Sequence, residues 1–205
     1  MSAPARYPIL AGEHRHELVE RRSRFLCVLA PIQTEEGAAE LLARLRAEFP
    51  DANHHCWAFV VGPPGSTARV GSSDAGEPSG TAGRPMLEAL VHGPVGDAAA
   101  IVVRWFGGIK LGTGGLARAY SGAVRDALET APTTVHTEWV GLTVSTGYAE
   151  ADALRRLYAD HEAELQGETF DARVTHRLRV PADRYEGLAA AITGATNGAA
   201  MLERD

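Results

Sequence analysis

Cysteine is scarce: the chain has two, Cys27 and Cys56. Both stand in apolar, strand-like runs without CxxC spacing, so both are expected as buried, reduced thiols rather than redox or metal groups. No stretch approaches the roughly 20 apolar residues that a membrane helix needs. The opening MSAPARYPIL lacks the apolar core of a secretory signal, so a cytoplasmic protein is expected. A Walker GK[ST], an HExxH, a D-x-D-x-D-G calcium loop and a G-x-S-x-G elbow are all missing, which leaves those metal, P-loop and hydrolase readings unsupported. Neither an internal repeat nor a low-complexity tail stands out.

Charge of one sign is also unevenly supplied. The net charge is −6, and the excess acid gathers from Glu138 onward while the first two-thirds is close to neutral. Such a balance excludes a protein that coats nucleic acid all over, and leaves room for a local basic site on the N-terminal part.

What is present reads as two domains. HELVERRSRFLCVLAPI alternates like one or two strands with RRSR between them. TEEGAAELLARLRAEFP opens on Thr34 as an N-cap, with acids in the first turn and Pro50 as the stop. HCWAFVVG reads as a strand covered on both faces. Residues 62–83 read as one long Gly/Ser/Pro loop, a length that is usually functional or disordered. A short helix around 86–91, the strand AAAIVVRWFG and a helix over about 115–130 follow. On that last helix Arg118 and Arg125, seven apart, share the face away from the core. APTTVHTE marks the boundary, dividing the chain into 1–136 and 137–205. The second part runs β-α-β-β-α-β, the ferredoxin-like order, with Leu154, Leu157, Tyr158 and His161 on one side of its first helix.

Three clusters could carry chemistry. The first is VVRWFGGIKLGTGGLARAY, residues 102–120. Its Gly112-x-Gly114-x-x-Ala117 matches the dinucleotide fingerprint formally. The strand ends too early, however, and no acid-ended second strand follows about 20 residues on, so no nicotinamide or flavin cofactor is expected. Gly107, Gly108, Gly112, Gly114 and Gly115 could aim backbone amides at an anion, with Thr113, Lys110, Arg104 and Arg118 around them. They could equally serve close packing and positive φ. Arg104 interrupts a core-type strand and must find a partner or reach a site.

The second cluster is SSDAGEPSGTAGRP, residues 72–85. Asp74 and Glu77 could hold Mg²⁺; alternatively Ser73, Gly80, Thr81, Gly83 and Arg84 could bind a phosphate. Turn-making by Asp and Ser, with Thr81 capping the next helix, is the structural alternative. Its spacing fits no metal loop, and no metal is assigned. In the third, NHHCWAF, His54 and His55 on a strand would point to opposite faces, so a structural role is expected of each.

In this order, SRF (23–25), HHCWA (54–58), SDAGEPSGTAGRPM (73–86) and VVRWFGGIKLGTGGLARAY (102–120) resemble the YigZ/IMPACT family almost end to end. The resemblance implies an α+β protein. Its first domain would be a βαβ domain of the type of a ribosomal protein's second domain, a fold also found in elongation factor G and in galactokinase-type small-molecule kinases. A ferredoxin-like βαββαβ domain would follow. For the eukaryotic relative it implies restraint of a starvation-activated translation-initiation kinase, a eukaryotic role that is not carried across. Bacterial members resemble nucleic-acid or ribosome binders. Two departures stand out: Ala75 replaces a second acid of SDDGEP-like relatives, and Trp105 replaces the tyrosine of RYFGG. The family supplies no catalytic residue. The expectation is therefore a non-catalytic, translation-regulator-like binder of RNA, ribosome or a translation factor, through Arg84, Arg104, Lys110, Arg118 and the two glycine-rich loops, with Trp105 as a stacking face if exposed. The alternative is a Mg²⁺-dependent enzyme acting on a small phosphorylated metabolite or nucleotide.

Overall fold

The computed structural model describes residues 4–205. The chain divides into two compact units, one ending at Val135 and the other covering His136–Asp205. It is an α+β protein in both.

The first unit is built on an antiparallel five-stranded sheet. In spatial order the strands are β2 (His14–Glu20), β3 (Ser23–Pro31), β6 (Ala98–Trp105), β4 (His54–Val61) and β5 (Arg69–Ser73). The central strand β6 is AAAIVVRW, buried along all but its last residue. Side chains alternate across a strand, so a run covered on both faces is apolar at successive positions, as residues 98–103 are; Arg104 alone breaks the run. Ala100 and Val102 enter one core with Cys27, Cys56 and Tyr120. Ala99, Ile101 and Val103 enter the other with Val28, Leu41 and Phe59. Helix α1 (Glu35–Glu48) covers the latter face, while α2 (Gly83–Val91) and α3 (Thr113–Thr130) cover the former. Thr34 caps α1 as its sequence predicts, its hydroxyl accepting from Gly37 N–H at 3.3 Å. Strand β1 (Arg6–Leu10) pairs with β7 (Thr133–Thr137), and neither has a sequence signal strong enough to announce it.

Residues 62–83 are not one loop. Strand β5 lies within them, with Gly71 opposite Phe59 and Ser73 opposite Trp57. Its RVGSS sequence carries no apolar alternation because it is an edge strand held by one neighbour. Gly71 is needed for contact rather than flexibility: a Cβ there would sit 2.5 Å from the Phe59 ring.

In the second unit β8 (Trp139–Thr146), α4 (Tyr148–Asp160), β9 (Glu164–Phe170), β10 (Val174–Pro181), α5 (Tyr185–Ala195) and β11 (Met201–Arg204) follow in sequence. The antiparallel sheet has the order β11-β8-β10-β9, the ferredoxin-like arrangement. Leu142, Val144, Leu154, Leu178, Leu188 and Ile192 fill its core. His161 caps the C-terminus of α4 instead of continuing its apolar side.

Candidate anion-binding cleft

Strand parity decides where Arg104 goes. Counting by twos from Val102 puts it on the face of α2 and α3, and the register sets it opposite Phe25 on β3 and His54 on β4. Glu77, from the loop before α2, meets it there: Arg104 Nη1 donates to Glu77 Oε1. The Tyr120 hydroxyl, from α3, donates to the same oxygen at 2.7 Å. Both ion-pair side chains are almost fully enclosed, 7% and 3% exposed. A buried charge requires such compensation. Burial above all, with Cys56 and Glu77 alongside, pushes the Tyr120 phenol far up, so it remains a hydrogen donor. Arg104 is therefore not a free phosphate contact on the surface. Its charge is matched inside the domain, although Nε has no acceptor among the described residues.

The second glycine-rich loop is self-satisfied. Asp74 accepts from Gly80 N–H at 2.8 Å and from Ala82 and Gly83 N–H at 2.9 Å each. It thereby caps α2, whose own N-cap position is Ala82 with no side-chain bond. Burial acts to raise the Asp74 carboxyl, but the three amide bonds together hold it below the ordinary range. Thr81 does not cap the helix: its hydroxyl donates to Pro78 carbonyl at 2.6 Å. Ser73 Oγ accepts from Ala75 N–H at 3.2 Å. The amides of Gly80 and Gly83 are thus occupied by Asp74, and neither they nor Ser73 and Thr81 are left facing an anion. Arg84 lies away from Arg104 on the first turn of α2, 81% exposed and paired with Glu88 at 3.0 Å.

The first loop answers its own ambiguity in two parts. Gly107 is there for packing, since a Cβ would lie 2.0 Å from the Arg22 carbonyl carbon, and its N–H donates to Ser23 Oγ at 3.1 Å. Gly112, at φ +73°, turns the chain into α3 as its N-cap. From there Thr113, Gly114 and Gly115 open the helix with amides that have no intrahelical acceptor. Thr113 and Gly114 are exposed, as are Gly108 and Lys110. A cleft of about 520 Å³ forms beside this helix end. Glu77, Arg104 and His54 line it, with Lys110, Gly112 and Thr113. Phe106, Leu111, Leu116 and Pro78 supply its apolar walls. Arg118 lies outside it, lining with Arg125 a groove of about 650 Å³ between α2 and α3.

Two features of the site have weaker signals in the sequence. Trp105 is engaged within the domain: the Arg24 guanidinium lies 3.8 Å from its centroid, Phe49 meets it edge-on at 5.5 Å, and its indole N–H donates to Asp51 at 2.9 Å. The exposed aromatic is the next residue, Phe106, at 48%. Arg21 and Arg22, which lie between two strand-like runs in the sequence, form the two-residue turn of the β2–β3 hairpin, against which Gly107 packs. Both have positive φ, +46° and +65°. Asn-Gly is the unstrained choice in such a turn.

His54 and His55 diverge as their alternation requires. His54 Nδ1 lies 3.0 Å from the Ala75 carbonyl, which can only accept, so the proton sits on Nδ1. Nε2 then faces Glu77 at 3.8 Å. His55 lies against α1, and burial lowers its pKa. Cys27 and Cys56 are buried free thiols. Burial foremost pushes Cys56 up to about 12, and its thiol donates to the Asp74 carbonyl at 3.0 Å. Among the described residues, no group of three or more His, Cys, Asp or Glu is placed to hold a metal.

Comparison with known proteins agrees with this architecture. The Impact N-terminal domain family matches residues 21–128, and a domain of unknown function, DUF1949, matches residues 144–199. The chain is 37% identical over 182 residues to the IMPACT family member YigZ of Escherichia coli (strain K12), covering 89% of each chain. It is 34% identical over 183 residues to an IMPACT family member of Haemophilus influenzae, again covering 89% of each. It is 46% identical over 118 residues to the IMPACT family member YvyE of Bacillus subtilis, covering 58% of this chain and 52% of that one. A solved structure described as a hypothetical protein superposes with a TM-score of 0.70 at 35% identity, covering 97% of both chains.

Proposed function

The chain belongs to the IMPACT family, and from this membership and the cleft we propose that its N-terminal domain binds RNA phosphates as a non-catalytic factor in translational control. The observation that carries the reading is the Arg21–Arg22 turn. Two arginines in left-handed backbone cost about 1–3 kcal/mol each, a cost that recurs at functional sites. The turn packs against the loop that presents Lys110 and the N-terminus of α3. Arg118 and Arg21 also line one hollow, with Leu111 and Gly115. Phosphate oxygens would meet these cations and the helix amides, and Phe106 would offer a ring to an unstacked base. The charge contacts are therefore Arg21, Arg22, Lys110 and Arg118, with Arg104 organising the cleft from within.

The alternative, a Mg²⁺-dependent enzyme acting on a small phosphorylated compound, needs free carboxylates near the phosphate. Asp74 is engaged by three amides, and Glu77 by Arg104 and Tyr120. A translation-factor partner fits the same regulatory role without any observation that favours it over RNA. A cytoplasmic location belongs to the same proposal; no helix among the described residues is long and apolar enough to cross a membrane.

Co-sedimentation with ribosomal particles tests the proposal. The protein should travel with the particles at low salt, leave them after nuclease treatment, and leave them as salt rises. Binding to single-stranded RNA should fall with a slope of about 0.7 in log affinity per log salt for each phosphate neutralised. A slope near zero, or binding that survives nuclease and depends on protein alone, would refute it.

A further inference from the structure

The groove of about 650 Å³ between α2 and α3 shares no residue with the cleft beside Arg104. Its base is apolar: Ala89 and Leu128, each 8% exposed, lie there, flanked by Ala117 and Pro94. Along α3 the lining runs from Ala117 to Glu129, which is about 18 Å of helix. Arg118 and Arg125 stand on this rim, seven positions apart and so on one side of α3, about 10 Å from each other along its axis. Both are exposed, and neither has an acid paired with it among the described residues. Glu129, one turn beyond Arg125, is likewise exposed and without a cation. Across the groove the α2 rim has its acid matched, since Glu88 pairs with Arg84 at 3.0 Å.

The charge order on α3 opposes the helix that carries it. Acids favour the first turn of a helix and bases the last, because the N-terminus is the positive end. Helix α3 has no acid in its first turn and no base in its last. Instead Arg118 folds back toward that first turn, its Nη1 3.5 Å from where a Gly114 Cβ would stand, and Glu129 sits in the last turn. The stability of the helix does not account for either placement. Charges that break a local rule without a compensating contact point to a use outside the fold. Here they border an apolar floor, and read plus, plus, minus along the chain.

We infer that the groove between α2 and α3 docks an acidic amphipathic helix of another protein, about three turns long and parallel to α3. Two acids seven positions apart would face Arg118 and Arg125, and a base one turn further on would face Glu129. Apolar side chains between them would rest on Ala89, Ala117 and Leu128, as in helix-in-groove recognition. The same order of acid then base suits the dipole of the incoming helix. No helix among the described residues carries two acids seven positions apart, so a second copy of this chain does not supply the pattern. Single-stranded RNA would reach the arginines but leave the apolar floor uncovered, and no Phe, Tyr or Trp lines the groove for a base to stack on. The inference goes beyond the RNA reading and stands without it. Arg118 also lines the hollow with Arg21, but Arg125 belongs to the groove alone.

The test is a selection from displayed helix-forming peptides of about 18 residues, long enough to hold a helix, against the full chain. Fluorescence anisotropy then reads the affinities. Selected peptides should carry two acids seven positions apart with apolar residues on the same face. Changing both acids to lysine should weaken a selected peptide about ten-fold or more. Arg125→Glu should weaken it about ten-fold, and a peptide with lysine in place of the facing acid should recover most of that loss on this variant alone. Ala117→Trp fills the groove from a half-buried position and should also cost about ten-fold. Thermal melts check that both variants remain folded.

A selection without this pattern overturns the inference, and so does affinity unchanged in Arg125→Glu and in Ala117→Trp. If Arg125→Glu lowers affinity for single-stranded RNA as much as for peptide, the groove belongs to the RNA path and the helix is refuted. If the chain dimerises in sedimentation velocity and Arg125→Glu dissolves the dimer, the occupant is a second copy, and the inference again falls. RNA binding without peptide binding sinks this inference alone. Peptide binding that follows the charge swap, without RNA binding, sustains it and sinks the RNA reading.

Discussion

Tyr120 donates its hydroxyl to Glu77 Oε1 at 2.7 Å, 43 positions away in the chain, on the oxygen that also receives Arg104. Three elements, the loop before α2, strand β6 and helix α3, are joined at one buried atom. The arrangement ties the walls of the cleft to the core of the N-terminal unit.

Breaking that junction from one side leaves a buried charge without its partner. Glu77→Gln or Arg104→Met alone should destabilise the N-terminal unit by about 3–5 kcal/mol. The double substitution should recover part of the loss, because no uncompensated charge remains. Thermal melts of the four proteins provide a cycle that checks this, and additive losses would show that the two residues are not coupled.

Asp74 is the cap of α2 and the organiser of the loop before it. Asp74→Ala strands three amides and should cost about 2–3 kcal/mol, whereas Asp74→Asn keeps an acceptor and should cost less. The folded pKa of Asp74 is depressed, burial opposing and the three amides prevailing. Its contribution to stability is thus complete above the unfolded value, about 3.9, and is lost as the pH falls through the lower folded value. Acid denaturation of the wild type and of Asp74→Asn, followed by circular dichroism, should converge at low pH.

The β2–β3 turn offers a trade between stability and binding. Arg21→Asn with Arg22→Gly should raise stability by about 1–2 kcal/mol through relief of the positive-φ arginines. RNA affinity should fall, and the salt slope should shrink by about 1.4 for two lost phosphate contacts on a single strand. Chemical denaturation and a salt series on the same variant read both effects; an unchanged slope would remove these arginines from the interface.

Gly107→Ala should damage the protein more than its one-carbon change suggests. The new methyl would lie 2.0 Å from the backbone of Arg22, so the loop must leave the hairpin turn at a cost of about 1–3 kcal/mol or more. Gly108→Ala meets nothing within 4 Å and carries only the strain of φ +86°. Comparing the melting temperatures of the two variants separates contact from conformation.

Both thiols should be silent in the folded protein. With Cys56 pushed up to about 12 by burial first, and Cys27 higher for the same reason, the thiolate fraction near pH 8 is small and shielded. Thiol titration should register almost nothing natively and two groups after denaturation.

Much of this protein is legible along the chain. The apolar run at 98–103 in β6, the Thr34 cap, the stop near Pro50 and the β-α-β-β-α-β order each follow from local periodicity and capping, which depend on neighbours a few positions apart. The loop-to-helix glycines likewise mark the α3 N-terminus. Edge strand β5 has no signal along the chain because its five residues carry no apolar pattern; backbone pairing to β4 holds it in place.

The site itself was decided by tertiary structure. Arg104 reads as an anion contact until register sets it between Phe25 and His54 and brings Glu77, 27 positions earlier, onto its guanidinium. Asp74 reads as an acid that could hold Mg²⁺ or make a turn until the loop folds back and spends its carboxylate on three amides. Trp105 carries Arg24 on its ring, while Phe106 is half exposed. Arg21 and Arg22 join the glycine loop only because Gly107 packs on their turn, with Ser23 hydrogen-bonded across 84 positions. Periodicity assigns a side chain to a face, but which partner cancels or frees its charge depends on long-range register, and that is set by the packing of the whole sheet.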